Sequence, residues 1–286
     1  MNYILLFVTV FTVSIQNIFS KQYSKKNTNG PLTFSAMATV AALIVFLISG
    51  NFQFAFNKHI LIYSFFFAIS FSAAIIGSTI AIDCGSLSIS TLLISYSLVI
   101  PALYGILFSN ETVSITMAIG FLLVIASITL VNYNKTHKEP KSKCNIKWII
   151  AILFAFFGNG LCSTVQRIQQ VKFCGEYKNE FMIVSLLIAA VIMFITAGIR
   201  EKNSLKNSVK KGWLLAALRG IANGITNLFV MILGNLIPVS IMFPIISAGS
   251  LVISSGVSIL FYKEKLNKQQ LFGVTLGILS VVLLNL

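Results

Sequence analysis

Ten apolar runs, most of them about 20 residues long, constrain the fold of this chain more than any other feature. A helix of about 20 residues spans the hydrocarbon core of a bilayer, which is roughly 30 Å thick. Because backbone polar groups need partners inside lipid, each run is predicted to be a helix. The runs lack the alternation of apolar and polar residues that a membrane β-barrel requires. The predicted spans are Asn2–Ser20, Pro31–Ser49, His59–Ile82, Ser86–Phe108, Val113–Asn132, Ile146–Gln166, Glu180–Ile199, Gly212–Gly234, Ile237–Phe261 and Gln269–Leu286.

The composition agrees with a membrane protein that spans the bilayer many times. Hydrophobic residues make up 57% of the chain and charged residues only 10%, whereas soluble domains are about 25% charged. The net charge of +14 could indicate nucleic acid, but Lys and Arg lie mainly between the apolar runs, as membrane topology requires. We therefore expect no nucleic-acid partner. The four cysteines form no CxxC pair and have no histidine at a ligand spacing, so neither a metal nor a cofactor is predicted.

The two halves of the chain are related in sequence. When the chain is shifted by 153 residues, Ile106–Asn132 aligns without a gap on Ile259–Asn285, and ten of 27 positions are identical. Each half contains five spans, an odd number, so the second half must insert upside down relative to the first. The prediction is an all-α integral membrane protein of ten helices in two inverted five-helix repeats, residues 1–135 and 145–286. Such a repeat places a binding site near the middle of the bilayer.

A shared motif closes each half. In the first half, Leu107-Phe108 is followed by Glu111 and Gly120, and the second half repeats it as Leu260-Phe261, Glu264 and Gly273. This pattern resembles the drug/metabolite transporter superfamily and, within it, the EamA-like ten-span transporters. The resemblance implies a secondary transporter that exports amino acids, drugs or metabolites, although some relatives take up sugars. Family members often carry a proline in the middle of the fourth and ninth spans. Here Pro101 and Pro244 lie ten residues apart in the aligned register.

The orientation of the chain is left open by two opposing indications. The connections after the odd-numbered spans carry 16 Lys and Arg residues, Lys147 at the start of the sixth span included, and those after the even-numbered spans carry four. This count predicts that the odd connections face the cytoplasm and that both termini lie outside. The family resemblance instead implies that both termini lie inside.

A polar stripe in the eighth span is the strongest candidate for a binding site. Arg219 lies about 9 Å into the span from Trp213, and Asn223 and Asn227 follow at i+4 and i+8 on the same helical face. A charge at that depth usually faces a cavity or a partner. The stripe is predicted to line a central cavity, with Arg219 attracting an anionic group. The alternative is that Arg219 reaches the interface while the asparagines bond neighbouring helices.

Three further residues complete the predicted substrate site. Gln16 in the first span and Asn159 in the sixth occupy similar places in the two repeats, which suits a site made by both halves. Tyr96 in the fourth span could add an aromatic contact. The alternative for the two amides is ordinary hydrogen bonding between helices, and for Tyr96 it is packing. Glu111 and Glu264 stand at helix starts, where a structural role at the helix dipole is expected.

The function predicted from these features is secondary transport in the cell membrane, with a small-molecule substrate and the lipid bilayer as partners and a homodimer left open. All seven acidic residues lie at span ends or in connections, which disfavours export of cationic drugs. No catalytic constellation is visible, so no enzyme is expected. We predict export of small metabolites or amino acids by alternating access. The alternatives are a sugar or lipid-carrier permease of the same fold, or a drug exporter.

Overall fold

Ten helices make up the part of the chain that the structure describes. The computed structural model describes residues 2–25, 30–55, 57–84, 90, 93–108, 114–131, 146–260 and 267–284. Within these ranges no strand is present. The helices are α1 (Asn2–Lys25), α2 (Pro31–Ser49), α3 (Lys58–Cys84), α4 (Leu93–Phe108), α5 (Ile115–Val131), α6 (Ile146–Lys172), α7 (Lys178–Arg200), α8 (Leu205–Leu233), α9 (Val239–Leu260) and α10 (Lys268–Leu284).

The helices coincide with the ten predicted spans. Seven of them are long and apolar enough to cross a membrane, and α4, α5 and α10 are shorter apolar helices. Three helices extend five or more residues beyond the prediction, and the first of them, α1, ends at Lys25 where Ser20 was predicted. Helix α8 begins at Leu205, where exposed lysines continue the helix outside the apolar region. Helix α6 continues to Lys172 because its glutamines, Gln169 and Gln170 among them, are buried and bonded within the protein. Glu111 and Glu264 lie outside the described residues.

Most of the packing joins the first five helices to the last five. Helix α3 packs on α6, α1 and α2 pack on α8, α2 also packs on α7, α4 on α9, and α5 on α10. The largest buried cluster combines Leu6, Val10 and Leu98 with Met242 and Ile245 of α9. The two halves therefore share one interior.

Small residues let the backbones of facing helices touch. A Cβ atom on Gly158 of α6 would lie 2.6 Å from the backbone nitrogen of Ala74, and one on Gly220 of α8 would lie 2.1 Å from the carbonyl oxygen of Ala38. No side chain larger than hydrogen fits at either crossing. Membrane helices associate closely through small residues of this kind, since lipid offers no hydrophobic drive for helix association.

A buried carboxylate joins the α7–α8 turn to the start of α2. Glu201, only 8% exposed, accepts hydrogen bonds from the backbone nitrogens of Leu32 and Thr33 at 2.8 Å each and from the Thr33 hydroxyl at 2.7 Å. These nitrogens belong to the first turn of α2, which has no partner for them within its own helix. The negative charge also opposes the positive end of the helix dipole. One carboxylate thus ties the two halves together at this end.

The fourth helix of each half differs around its proline. Helix α4 contains a 3-10 turn at Tyr96–Leu98, before its α-helical part that includes Pro101. Helix α9 remains α-helical through Pro244. Proline removes a backbone donor and clashes with the preceding turn, and of the two helices only α4 departs from α-helical geometry before its proline.

Candidate functional site

A cavity of about 620 Å³ lies where the two halves meet, and polar and apolar side chains line it in similar proportion. Its walls come from α1, α4 and α5 of the first half and from α6 and α9 of the second. Of the described residues that line it, none is charged. The polar lining consists of neutral amide and hydroxyl groups: Asn17, Ser95, Ser97, Asn159, Ser163, Ser247, Ser250, Ser254 and Ser255.

The cavity extends to one face of the helix bundle. Its walls include Asn17 near the end of α1, Ile94 at the start of α4, Val131 at the end of α5 and Ser255 near the end of α9. These ends meet on one face because successive helices cross in opposite directions. That face carries the connections after the odd-numbered helices, which hold most of the Lys and Arg residues. We call it the basic face.

Two asparagines of the cavity each donate to a serine on another helix. Asn159 of α6 donates through Nδ2 to the Ser97 hydroxyl of α4 at 2.6 Å. Asn17 of α1 donates through Nδ2 to the Ser254 hydroxyl of α9 at 3.4 Å. Both asparagine side chains remain exposed. The structure therefore places Asn159, a predicted site residue, on the cavity wall, while its role in binding stays a prediction.

The serines of α9 were missed by the sequence reasoning. Ser247, Ser250 and Ser254 follow one another at i, i+3 and i+7, a spacing that puts them on one helical face. That spacing was the available signal. A serine in an apolar helix is ambiguous, however, because its hydroxyl can bond to its own backbone, as the Ser250 hydroxyl does to the Ser247 carbonyl at 3.0 Å.

The predicted asparagine stripe of α8 belongs to a hydrogen-bonded network beside the cavity. Asn223 donates to the Gln16 side-chain oxygen at 2.9 Å, and Gln166 donates to the Asn227 side-chain oxygen at 2.8 Å. Asn227 donates to the Asn223 carbonyl at 2.9 Å, and Gln16 donates to the Thr226 hydroxyl at 2.8 Å. We call these five side chains the amide network. It joins α1, α6 and α8, and none of its members is among the described residues that line the cavity.

Arg219 lies apart from both the cavity lining and the amide network. Its guanidinium carbon is 5.4 Å from the centre of the Phe34 ring of α2, and that ring stacks on Tyr23 of α1 at 4.0 Å. A cation over an aromatic face is attracted by the ring quadrupole. The Nε atom of Arg219 is buried and has no hydrogen-bond partner among the described residues. These contacts do not place Arg219 at the cavity. Its role in attracting an anionic substrate remains a prediction.

Tyr96 stands between the cavity and the interior. It lies in the 3-10 turn of α4 between Ser95 and Ser97, both of which line the cavity. Its own ring packs against the largest buried cluster, and its hydroxyl shares a hydrogen bond with that of Thr129 on α5. A contact between Tyr96 and a substrate stays a prediction.

A cavity walled by helices of both halves, with no charge among its described lining residues, suits a multi-span membrane transporter. The comparison with protein families identifies which kind: residues 146–286 match the sequence model of the EamA-like transporter family. This half of the chain belongs to that family, and the protein is a membrane transporter of the drug/metabolite type. The resemblance drawn from the repeated motif is confirmed.

Solved structures share the fold but not the sequence. One crystal structure matches 99% of this chain and 95% of its own, with a TM-score of 0.78 at 13% sequence identity. Twenty-eight chains of solved structures match in all. No curated protein sequence gives a significant match.

Proposed function

We propose that this protein is a secondary transporter that carries a small polar metabolite out of the cell by alternating access. The observation that carries the proposal is the polar cavity, which is walled by both halves and reaches the basic face. Because Lys and Arg favour the cytoplasmic side of a membrane, a cavity that reaches this face can take up its solute from the cytoplasm. That is the direction export requires, and it follows the charge count rather than the orientation that the family resemblance implies.

The helix packing supports the inverted repeat, with units at residues 1–135 and 145–286. When each helix is exchanged for its counterpart five helices along, the α3–α6 contact becomes α8–α1. Likewise the α2–α8 contact becomes α7–α3, and the α1–α9 contact becomes α6–α4. Each of these pairs is in contact. An arrangement that survives this exchange can open to the other side when the two units exchange conformations, which is the basis of alternating access.

The lining of the cavity also bears on the two rival substrate classes, cationic drugs and sugars. An exporter of cationic drugs needs a carboxylate to hold the cation, and none of the described lining residues is acidic. A sugar permease of the same fold is the stronger rival, since amide and hydroxyl groups are the usual partners of sugar hydroxyls. Amino-acid export depended on Arg219, which lies outside the cavity lining.

The test begins with thermal unfolding of the detergent-purified protein in the presence of amino acids, organic acids, sugars and cationic dyes. A ligand at 100 times its Kd stabilises the native state by about 2.7 kcal/mol. Stabilising compounds are then tested for counterflow exchange in proteoliposomes. We expect a polar compound to stabilise the protein and to exchange. A compound that binds without exchanging would contradict transport, and stabilisation by cationic dyes alone would favour drug export.

Two variants of α6 show whether the exchange passes through the cavity. Ser163→Trp fills the cavity, whereas Leu161→Trp adds the same side chain at a position that is 45% exposed on the outer surface. We expect Ser163→Trp to stop exchange and Leu161→Trp to preserve it. Full exchange by Ser163→Trp would rule out this cavity as the route.

A further inference from the structure

We propose that two asparagine–serine pairs, Asn17–Ser254 and Asn159–Ser97, set the specificity of the cavity and select a neutral solute rich in hydroxyl or amide groups. The inference rests on the proposed transport function and names its substrate class. Both pairs line the cavity, and each is joined by one hydrogen bond from the asparagine amide to the serine hydroxyl.

The two pairs join corresponding helices of the two halves. Asn17 of α1 meets Ser254 of α9, and Asn159 of α6 meets Ser97 of α4. In each case the first helix of one half is joined to the fourth helix of the other. A solute bound between the pairs therefore contacts both halves at once. Contacts of this kind can persist while the halves move relative to each other.

The hydrogen-bonding capacity left over in each pair defines the complementary group. Since the asparagine nitrogen donates, the serine oxygen accepts and its own proton remains to be donated. The asparagine Oδ1 atom likewise remains to accept, because no described residue bonds to it at either pair. Each pair thus offers two donors, the serine proton and the second amide proton, beside the asparagine oxygen as acceptor. A solute hydroxyl or carboxamide, which can both donate and accept, matches this combination.

Charged solutes are matched poorly by the same groups. A carboxylate only accepts, so it leaves the asparagine oxygens without a donor, and an ammonium only donates, so it leaves the serine protons without an acceptor. No charged side chain among the described lining residues compensates the loss of water, and an uncompensated charge is costly to dehydrate. The volume of about 620 Å³ is typical of sites for small organic ligands.

The experiment measures counterflow in proteoliposomes with five radiolabelled probes. Ribitol and uridine are neutral, alanine is a zwitterion, succinate is an anion and arginine is a cation. We expect ribitol or uridine to exchange at least about tenfold faster than the three charged probes, the factor that one lost hydrogen-bonded contact can supply. Exchange of a charged probe without either neutral one would overturn the inference and leave the transport function intact. Exchange of none of the five would contradict the transport function itself.

Isosteric substitutions test the two pairs directly. Asn17→Asp and Asn159→Asp keep the size of the side chain but replace the amide donor with a charged acceptor. Each should slow exchange of the neutral probe by about tenfold or more and begin to exchange arginine. Leu161→Val on the outer surface is the control, and thermal unfolding of every variant shows that it is folded. Neutral exchange at the native rate in both Asp variants would overturn the role of the pairs.

Discussion

The central cavity and the amide network use the same kinds of side chain for opposite purposes. Both draw on neutral amides and hydroxyls of α1 and α6, and on α1 the two regions meet at consecutive residues. Gln16 bonds Asn223 and Thr226 of α8, whereas Asn17 faces the cavity. In the network each amide is bonded to another helix, while in the cavity the asparagine oxygens have no partner among the described residues. Unmet bonding capacity, rather than polarity alone, distinguishes a binding surface from a structural contact.

The largest expected difference between the cavity and the amide network is in their accessibility to water-soluble reagents. Single cysteines are introduced at Ser254 in the cavity and at Thr226 in the network, in a background whose native cysteines are replaced by serine. We expect the cysteine at 254 to react with a membrane-impermeant maleimide on the order of a hundredfold faster, because buried thiols neither ionise nor meet the reagent. The reagent is added to the basic face and then to the opposite face. Similar rates at both positions would remove the distinction between cavity and network.

Substitutions at the neighbouring residues Gln16 and Asn17 should differ in their effect on the free energy of unfolding. Gln16→Leu leaves the Asn223 amide without its acceptor, and we expect the free energy of unfolding to fall by about 1–3 kcal/mol. Asn17→Leu removes a cavity-facing group and should change it by less than about 0.5 kcal/mol while impairing exchange. Both are measured by reversible unfolding in mixed micelles. An equal loss of stability in the two variants would show that Asn17 is a structural residue as well.

Replacing Arg219 should have little effect on either stability or exchange. In Arg219→Leu the attraction to Phe34 is lost, which costs about 0.5–1 kcal/mol, but the burial of an unpartnered Nε is relieved at the same time. We therefore expect a net change in the free energy of unfolding below about 1 kcal/mol and unchanged exchange of a neutral solute. Loss of exchange would restore the prediction that Arg219 holds an anionic group of the substrate.

The positions of the helices could be predicted because the length of an apolar run is fixed by the thickness of the bilayer. Their extensions could not, since the end of α6 is helical through bonds made by Gln169 and Gln170 rather than through contact with lipid. The same limit applies to the candidate site. Helical spacing placed Asn223 and Asn227 on one face, but only the packing of α1 and α6 shows what that face meets.

The hydrogen bonds of α1 have a consequence for the biogenesis of the protein. Thr12 shares a hydrogen bond with Thr226, and the Ser14 hydroxyl donates to the Ser250 carbonyl, partners that are 214 and 236 residues later in the chain. At typical rates of translation these partners leave the ribosome roughly 10 to 50 seconds after α1. During that interval α1 must remain in the bilayer, or in the insertion machinery, without these interhelical bonds, while its Thr12 and Ser14 hydroxyls donate to the carbonyls of Thr9 and Val10 in the same helix. Closure of the interior is therefore a late step, which awaits synthesis of the last helices.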